Sequence, residues 1–139
     1  MRDNLVSNSK QGLIMTKKKI LVVDDEVGMT RMLKRNLEST GRYDVRAENS
    51  GEITVAAARE FKPDLILLDV MMPGISGDEV AAKLKEDKIL CSIPIVFLSA
   101  IVKKEETEPT GGNIGGMTFL AKPVKLNDLI TCIENKLGK

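Results

Sequence analysis

Histidine and tryptophan are absent from the 139 residues, and the aromatic side chains amount to one Tyr and three Phe. Without histidine there is no Ser-His-Asp or Cys-His nucleophile, no zinc-hydrolase helix motif and no self-contained phosphohistidine relay. Any chemistry that takes a phosphoryl group from histidine must use the histidine of a partner. Cysteine is scarce too: Cys91 and Cys132 lie far apart and read as reduced thiols rather than a disulfide or metal site. Charge of one sign is lacking, with 21 basic and 20 acidic residues interspersed and a net charge of +1. No basic surface able to hold nucleic acid or an anionic membrane by counterion release is expected. No apolar run is long enough to span a bilayer, and the first residues lack the apolar core of a signal peptide, so a cytoplasmic location is expected.

What remains is an apolar fraction of 42%, enough for one ordinary domain with its own core. Residues 1–16 are polar and aperiodic and read as a flexible N-terminal extension, with Met15 resembling a second start; the folded domain is expected over 17–139. Two apolar runs end on acid: Ile20-Leu-Val-Val23 meets Asp24-Asp25-Glu26, and Leu65-Ile-Leu-Leu68 meets Asp69. A third run, Thr118-Phe-Leu-Ala121, ends on Lys122-Pro123. Runs of Val, Ile and Leu without alternation are how strands buried on both faces read, which points to a parallel sheet.

Helix-like segments alternate with these strands. Met29, Met32, Leu33 and Leu37 recur at helical spacing and Gly41 supplies a stop. Tyr43 to Ala47 reads as a strand, and Asn49 with Glu52 as a cap opening a helix that carries Ile53, Ala56, Ala57 and Phe61 and ends at Pro63. A strand over Asp64 to Asp69 follows, then a Ser76/Glu79 capping box before Val80, Ala81 and Leu84, and a strand over Ile93 to Ser99. Leu126, Leu129, Ile130, Ile133 and Leu137 form the apolar stripe of a last helix. The expected fold is α/β, a doubly wound five-stranded parallel sheet with helices on both faces. Pro109 and four glycines within the next eight residues predict an irregular stretch over Thr107 to Ile114 in the absence of phosphate or partner.

The carboxyl ends of parallel strands share one edge, where ligands bind. Clustered carboxylates repel one another unless a cation is present, and an all-oxygen donor set suits a hard ion such as Mg²⁺. A cation beside a carboxylate and an ammonium also traps phosphate, with Asp69 placed to attack phosphorus in line. Each residue has an ordinary explanation: Asp25 as a helix N-cap, Asp69 as a turn acid before Pro73-Gly74, Lys122 as a surface lysine. Matched charges on three separate strand ends are poorly explained that way.

At these residues the chain resembles the receiver domain of bacterial two-component response regulators. The resemblance rests on Ile20-Leu-Val-Val-Asp-Asp-Glu26, Leu65-Ile-Leu-Leu-Asp-Val-Met-Met-Pro-Gly74, Phe97-Leu-Ser-Ala100 and Gly115-Gly-Met-Thr-Phe-Leu-Ala-Lys-Pro123. It implies the flavodoxin-like strand order 2-1-3-4-5. It also implies that Asp69 accepts a phosphoryl group from a sensor histidine kinase or a histidine phosphotransfer protein. Mg²⁺ would be held by Asp24, Asp25, Asp69 and the backbone carbonyl of Met71. Lys122 would pair with the phosphoryl oxygens, its bond to Pro123 being cis, with Ser99 and Phe119 as switch residues. Plain core packing is the alternative for Phe119.

Output is expected through the Lys103–Lys136 face, to a protein partner or to a second copy in a phosphorylation-dependent homodimer. The chain is not expected to be an enzyme beyond self-phosphorylation from a phosphodonor and autodephosphorylation. Met71 and Ile101, both apolar and flanking the pocket in the family, predict a long-lived phosphoryl group. Two other readings compete: a Mg²⁺-dependent phosphatase with an aspartyl nucleophile, and a receiver fragment of a larger hybrid kinase or regulator. The first is disfavoured because Asp24-Asp25 are adjacent rather than in an Asp-x-Asp pattern. A dinucleotide carrier is disfavoured by the acidic turn after Val23, where phosphate-binding loops need glycine.

Overall fold

A computed structural model describes residues 16–100, 113–114 and 117–138. The elements run β1 (Lys18–Val23), α1 (Val27–Glu38), β2 (Tyr43–Glu48), a 3₁₀ turn (Gly51–Ile53), α2 (Thr54–Phe61), β3 (Leu65–Asp69), α3 (Gly77–Glu86), β4 (Ile95–Ser99), β5 (Asn113–Ile114), β6 (Met117–Ala121) and α4 (Leu126–Leu137).

The strands form one sheet in the order β2-β1-β3-β4-β6-β5. The first five in that row are all parallel, which is the expected 2-1-3-4-5 arrangement. The two-residue β5 is an addition the sequence did not announce, pairing antiparallel with β6 through Asn113↔Thr118 and Ile114↔Met117. Most of the expected extension over 1–16 lies outside the described residues, as do Lys103 and Ile101. Of the Thr107–Ile114 stretch only Asn113 and Ile114 are described, and they form β5.

Both faces of the sheet are covered, which is why residues 20–23 of β1 and 65–68 of β3 are unbroken apolar runs. Ile20 and Val22 pack with Leu65, Leu67 and Leu98 against Leu33 and Leu37 of α1 and Leu129 and Ile133 of α4. Leu21 and Val23 pack with Ile66, Leu68 and Phe97 against Ala57 and Ala58 of α2 and Val80 and Leu84 of α3. Successive residues of one strand therefore serve opposite layers.

Some local expectations need correction. Met32 is 42% exposed, and the small, branched Thr30 takes an inward position on α1 instead. The Asn49–Glu52 cap does not form: Ser50 precedes the 3₁₀ turn without a side-chain cap, and the Asn49 amide is spent elsewhere. The ordinary alternative for Asp25, a helix N-cap, does not hold either, since Glu26 takes that position, also without a side-chain cap. The Ser76–Glu79 capping box is present in both directions. Gly41 ends the α1 connection with φ +78°, a conformation glycine adopts without a Cβ penalty.

The outer edge of β2 is closed by α1. Nζ of Lys34 donates to the Val45 carbonyl at 2.7 Å, and the Val45 N–H donates to Oε2 of Glu38 at 3.1 Å. Lys34 and Glu38 pair with each other at 3.0 Å, one helical turn apart. An i,i+4 pair thus occupies the backbone groups that an approaching strand would need.

Candidate functional site

Register brings the strand ends together. Val23 lies opposite Leu68, so the next residues, Asp24 and Asp69, emerge side by side. Ser99 pairs with Ala121, so Lys122 follows directly beside Ser99, whose carbonyl accepts the Lys122 N–H at 2.9 Å. The Lys122–Pro123 bond is cis, as the resemblance implied.

Asp24 is fully buried and Asp69 is 4% exposed. Oδ1 of Asp24 accepts from the Glu26 N–H at 2.9 Å, which ties the acidic turn to its own strand end. Nζ of Lys122 stands 2.8 Å from Oδ2 of Asp24 and 3.2 Å from Oδ1 of Asp69. It also lies 3.5 Å from Oε1 of Glu26. One ammonium therefore serves three carboxylates.

The titration of Asp69 and Lys122 reflects that imbalance. Burial first, and then the charge of Asp24, push the Asp69 carboxyl above its ordinary range. Lys122 and the Met71 backbone N–H, which bonds the carboxylate, only partly restore it. Burial works against the charge of Lys122, but hydrogen bonding and attraction to Asp24 and then Asp69 outweigh it, so its pKa lies above the usual value.

Carboxylate oxygens of Asp24, Asp25 and Asp69 all lie within 4.8 Å of one another. Asp24 Oδ2 is buried, and its one near partner is the Lys122 ammonium at 2.8 Å, poorly aligned for a hydrogen bond. Three carboxylates with no soft donor and an under-satisfied buried oxygen fit a hard divalent cation such as Mg²⁺. The cluster opens into a cleft of about 240 Å³ lined by Asp25, Glu26, Asp69, Met71, Ser99 and Lys122 among others.

Of the remaining expected residues, Ser99 and Met71 line this cleft and Phe119 does not. Ser99 is buried at the end of β4, and the Met71 side chain stands 64% exposed at the mouth. Phe119, half-buried in β6, stacks on its cross-strand neighbour Phe97 at 5.3 Å between ring centroids. It belongs to the layer beneath α2 and α3 rather than to the cleft lining.

Three contributors were missed by sequence reasoning. Glu26 shares Lys122. Asn49 donates from Nδ2 to the Asp24 carbonyl at 2.8 Å. Gly77 opens α3 against the back of the Asp69 turn, its N–H donating to the Val70 carbonyl at 2.7 Å. A Cβ on Gly77 would run into the Asp69 carbonyl oxygen and approach Val70 Cα to 2.9 Å, so only glycine permits this contact. A glycine directly after a capping serine, where helix formers are favoured, was the available signal.

A family model described as the response regulator receiver domain matches residues 20–134. Among curated proteins, the chain is 39% identical over 125 residues to the phosphate regulon transcriptional regulatory protein PhoB of Pseudomonas aeruginosa. That match covers 90% of this chain but 54% of PhoB, so the chain spans about half the length of that relative. It is 35% identical to Protein PilH of the same organism, with 86% of this chain and 98% of PilH covered. Among solved structures, the Vibrio cholerae chemotaxis protein CheY4 superposes with a TM-score of 0.73 at 25% identity, covering 86% of this chain and 98% of CheY4.

Proposed function

That the chain belongs to the response regulator receiver domain family is the premise from which we propose its chemistry: Asp69 accepts a phosphoryl group from a partner's phosphohistidine in a Mg²⁺-dependent reaction. The observation that carries this reading is the convergence of Asp24, Asp25 and Asp69 within 4.8 Å, beside Lys122.

Asp24, Asp25, Asp69 and the Met71 carbonyl are assigned to the cation. When bound, Mg²⁺ supplies positive charge that offsets both the carboxylates and the incoming phosphoryl oxygens. An Asp69 oxygen forms the new bond to phosphorus as the phosphorus–nitrogen bond to the partner's imidazole breaks, its electron pair returning to that nitrogen. The Lys122 ammonium, already drawn to Asp69, neutralises a phosphoryl oxygen. Burial of Asp69 keeps it out of competing solvent contacts.

The added charge of roughly −1.5 to −2 is what changes the surface. Ser99, at the end of β4, is the hydroxyl assigned to follow the phosphoryl group, and Phe119 the ring assigned to respond. Output is assigned to the Lys103–Lys136 face, through a protein partner or a second copy. The exposed Met71 side chain offers no polar group to an attacking water, in keeping with a slowly lost phosphoryl group. The folded domain is assigned to 17–139 and a cytoplasmic location follows from the family reading; among the described residues no helix is long and apolar enough to cross a membrane.

The test is intact mass after incubation with phosphoramidate and Mg²⁺, before and after hydroxylamine, which cleaves an acyl phosphate. Wild type is expected to gain one acyl phosphate and Asp69→Asn none. Equal labelling of the two proteins, or none in wild type, would overturn the assignment.

A further inference from the structure

The acidic turn between β1 and α1 carries two of the assigned cation ligands, yet the α1 N-cap residue, Glu26, makes no side-chain cap. Its rigidity comes from the next strand. Asn49, just past the end of β2, sends Nδ2 to the Asp24 carbonyl at 2.8 Å and to Oγ1 of Thr30 at 2.9 Å. Thr30 is buried, and its hydroxyl donates onward to the Val27 carbonyl at 3.1 Å. The polarity is unambiguous: a carbonyl can only accept, and a hydroxyl that donates to Val27 must accept from Asn49.

These bonds bracket the turn. Asp24 N–H reaches the Glu48 carbonyl at 3.1 Å, Asp24 Oδ1 holds the Glu26 N–H, and the Asn49 amide holds the Asp24 carbonyl and the first turn of α1. The peptide joining Asp24 to Asp25 is therefore fixed from the β2 side, by a side chain that does not belong to the cleft lining.

We propose that Asn49, with Thr30 as its relay, is a positioning residue for the cation site: it sets the direction of the Asp24–Asp25 peptide, and so where the Asp25 carboxylate falls, before any cation arrives. This rests on the reading of Asp24 and Asp25 as cation ligands. Asn49 is exposed, so its truncation removes no core packing. Asp25 is exposed as well, so without that anchor little else orders its carboxylate. Groups that orient ligands from behind commonly change metal affinity by about 10- to 100-fold when removed.

The experiment is Mg²⁺ titration by calorimetry of wild type, Asn49→Ala and Thr30→Val, with amide hydrogen exchange of the Mg²⁺-free proteins. Asn49→Ala is expected to bind Mg²⁺ about tenfold more weakly and to exchange the Glu26 amide faster, with Leu67 and Val96 in the central strands unchanged. Thr30→Val keeps the bond to the Asp24 carbonyl and should fall between the two. In phosphorylation by phosphoramidate, Asn49→Ala should need more Mg²⁺ but reach the wild-type maximal rate. Mg²⁺ affinity in Asn49→Ala within about twofold of wild type would overturn the proposal, whatever happens to its melting temperature. Wild type that takes up no Mg²⁺ would overturn the cation reading itself, and the proposal with it.

Discussion

Lys122 is shared by Asp24, Asp69 and Glu26, at 2.8, 3.2 and 3.5 Å, and this surplus of acid over base is a cost the fold carries when no cation is bound. Asp69→Asn removes one of the two buried acids and leaves Lys122 to Asp24 and the exposed Glu26, with nearly the same shape. In EDTA it should therefore be more stable than wild type by about 1 kcal/mol, measured by urea denaturation. A less stable Asp69→Asn would mean that the Lys122–Asp69 pairing outweighs the repulsion. The acids were legible because each terminates an apolar run, and parallel strands deliver their ends to one edge. Glu26 and Asn49 were not, because their roles depend on side-chain reach across a turn. Sequence suggested that Asn49 capped its own helix, whereas its amide bonds Asp24 and Thr30, 25 and 19 residues back.

At the β2 edge, stability depends on pH through Glu38. Partial burial raises the Glu38 pKa, but hydrogen bonds from Lys34 and the Val45 N–H, with the charges of Lys34 and Lys17, more than reverse this, so it lies below the usual value. A depressed folded-state pKa contributes stability at pH above the unfolded value of 4.5, lost as pH falls through the folded value. Both partners are more than a third exposed, so screening keeps the effect small. Glu38→Gln should lower stability by about 0.5 kcal/mol at pH near 7, and the gap to wild type should close on acidification. Denaturation series at both pH values would show it; a constant gap would assign the effect to shape rather than charge. Elements of this kind were legible wherever period and length agreed. β1, β3 and α4 came from unbroken runs or a clear stripe, while the two-residue β5 is too short to carry any pattern. Met32 was misplaced because helical spacing alone cannot say that a small Thr30 fits the inward position better.

For the molecule as a whole, a cation that binds only the folded state adds stability by mass action. Mg²⁺ at a hundred times its dissociation constant should add about 2.7 kcal/mol, reversed by EDTA and absent from an Asp24→Asn/Asp25→Asn variant. Thermal unfolding with and without Mg²⁺ would test this, and an equal gain in the double variant would place the ion elsewhere. The two-layer core gives these acids a second consequence. Since Ile20 and Val22 face one layer while Leu21 and Val23 face the other, sliding β1 by one place merely exchanges aliphatic side chains. Apolar burial alone therefore barely indexes the strand. Such a slide of about 3.3 Å would instead draw either Lys19 or Asp24 into a slot now filled by an aliphatic residue, where an unpaired ion is costly. The charges that bracket the apolar run of β1 thus set its phase, and the Asp24 carboxylate also acts as a ruler for the strand it ends.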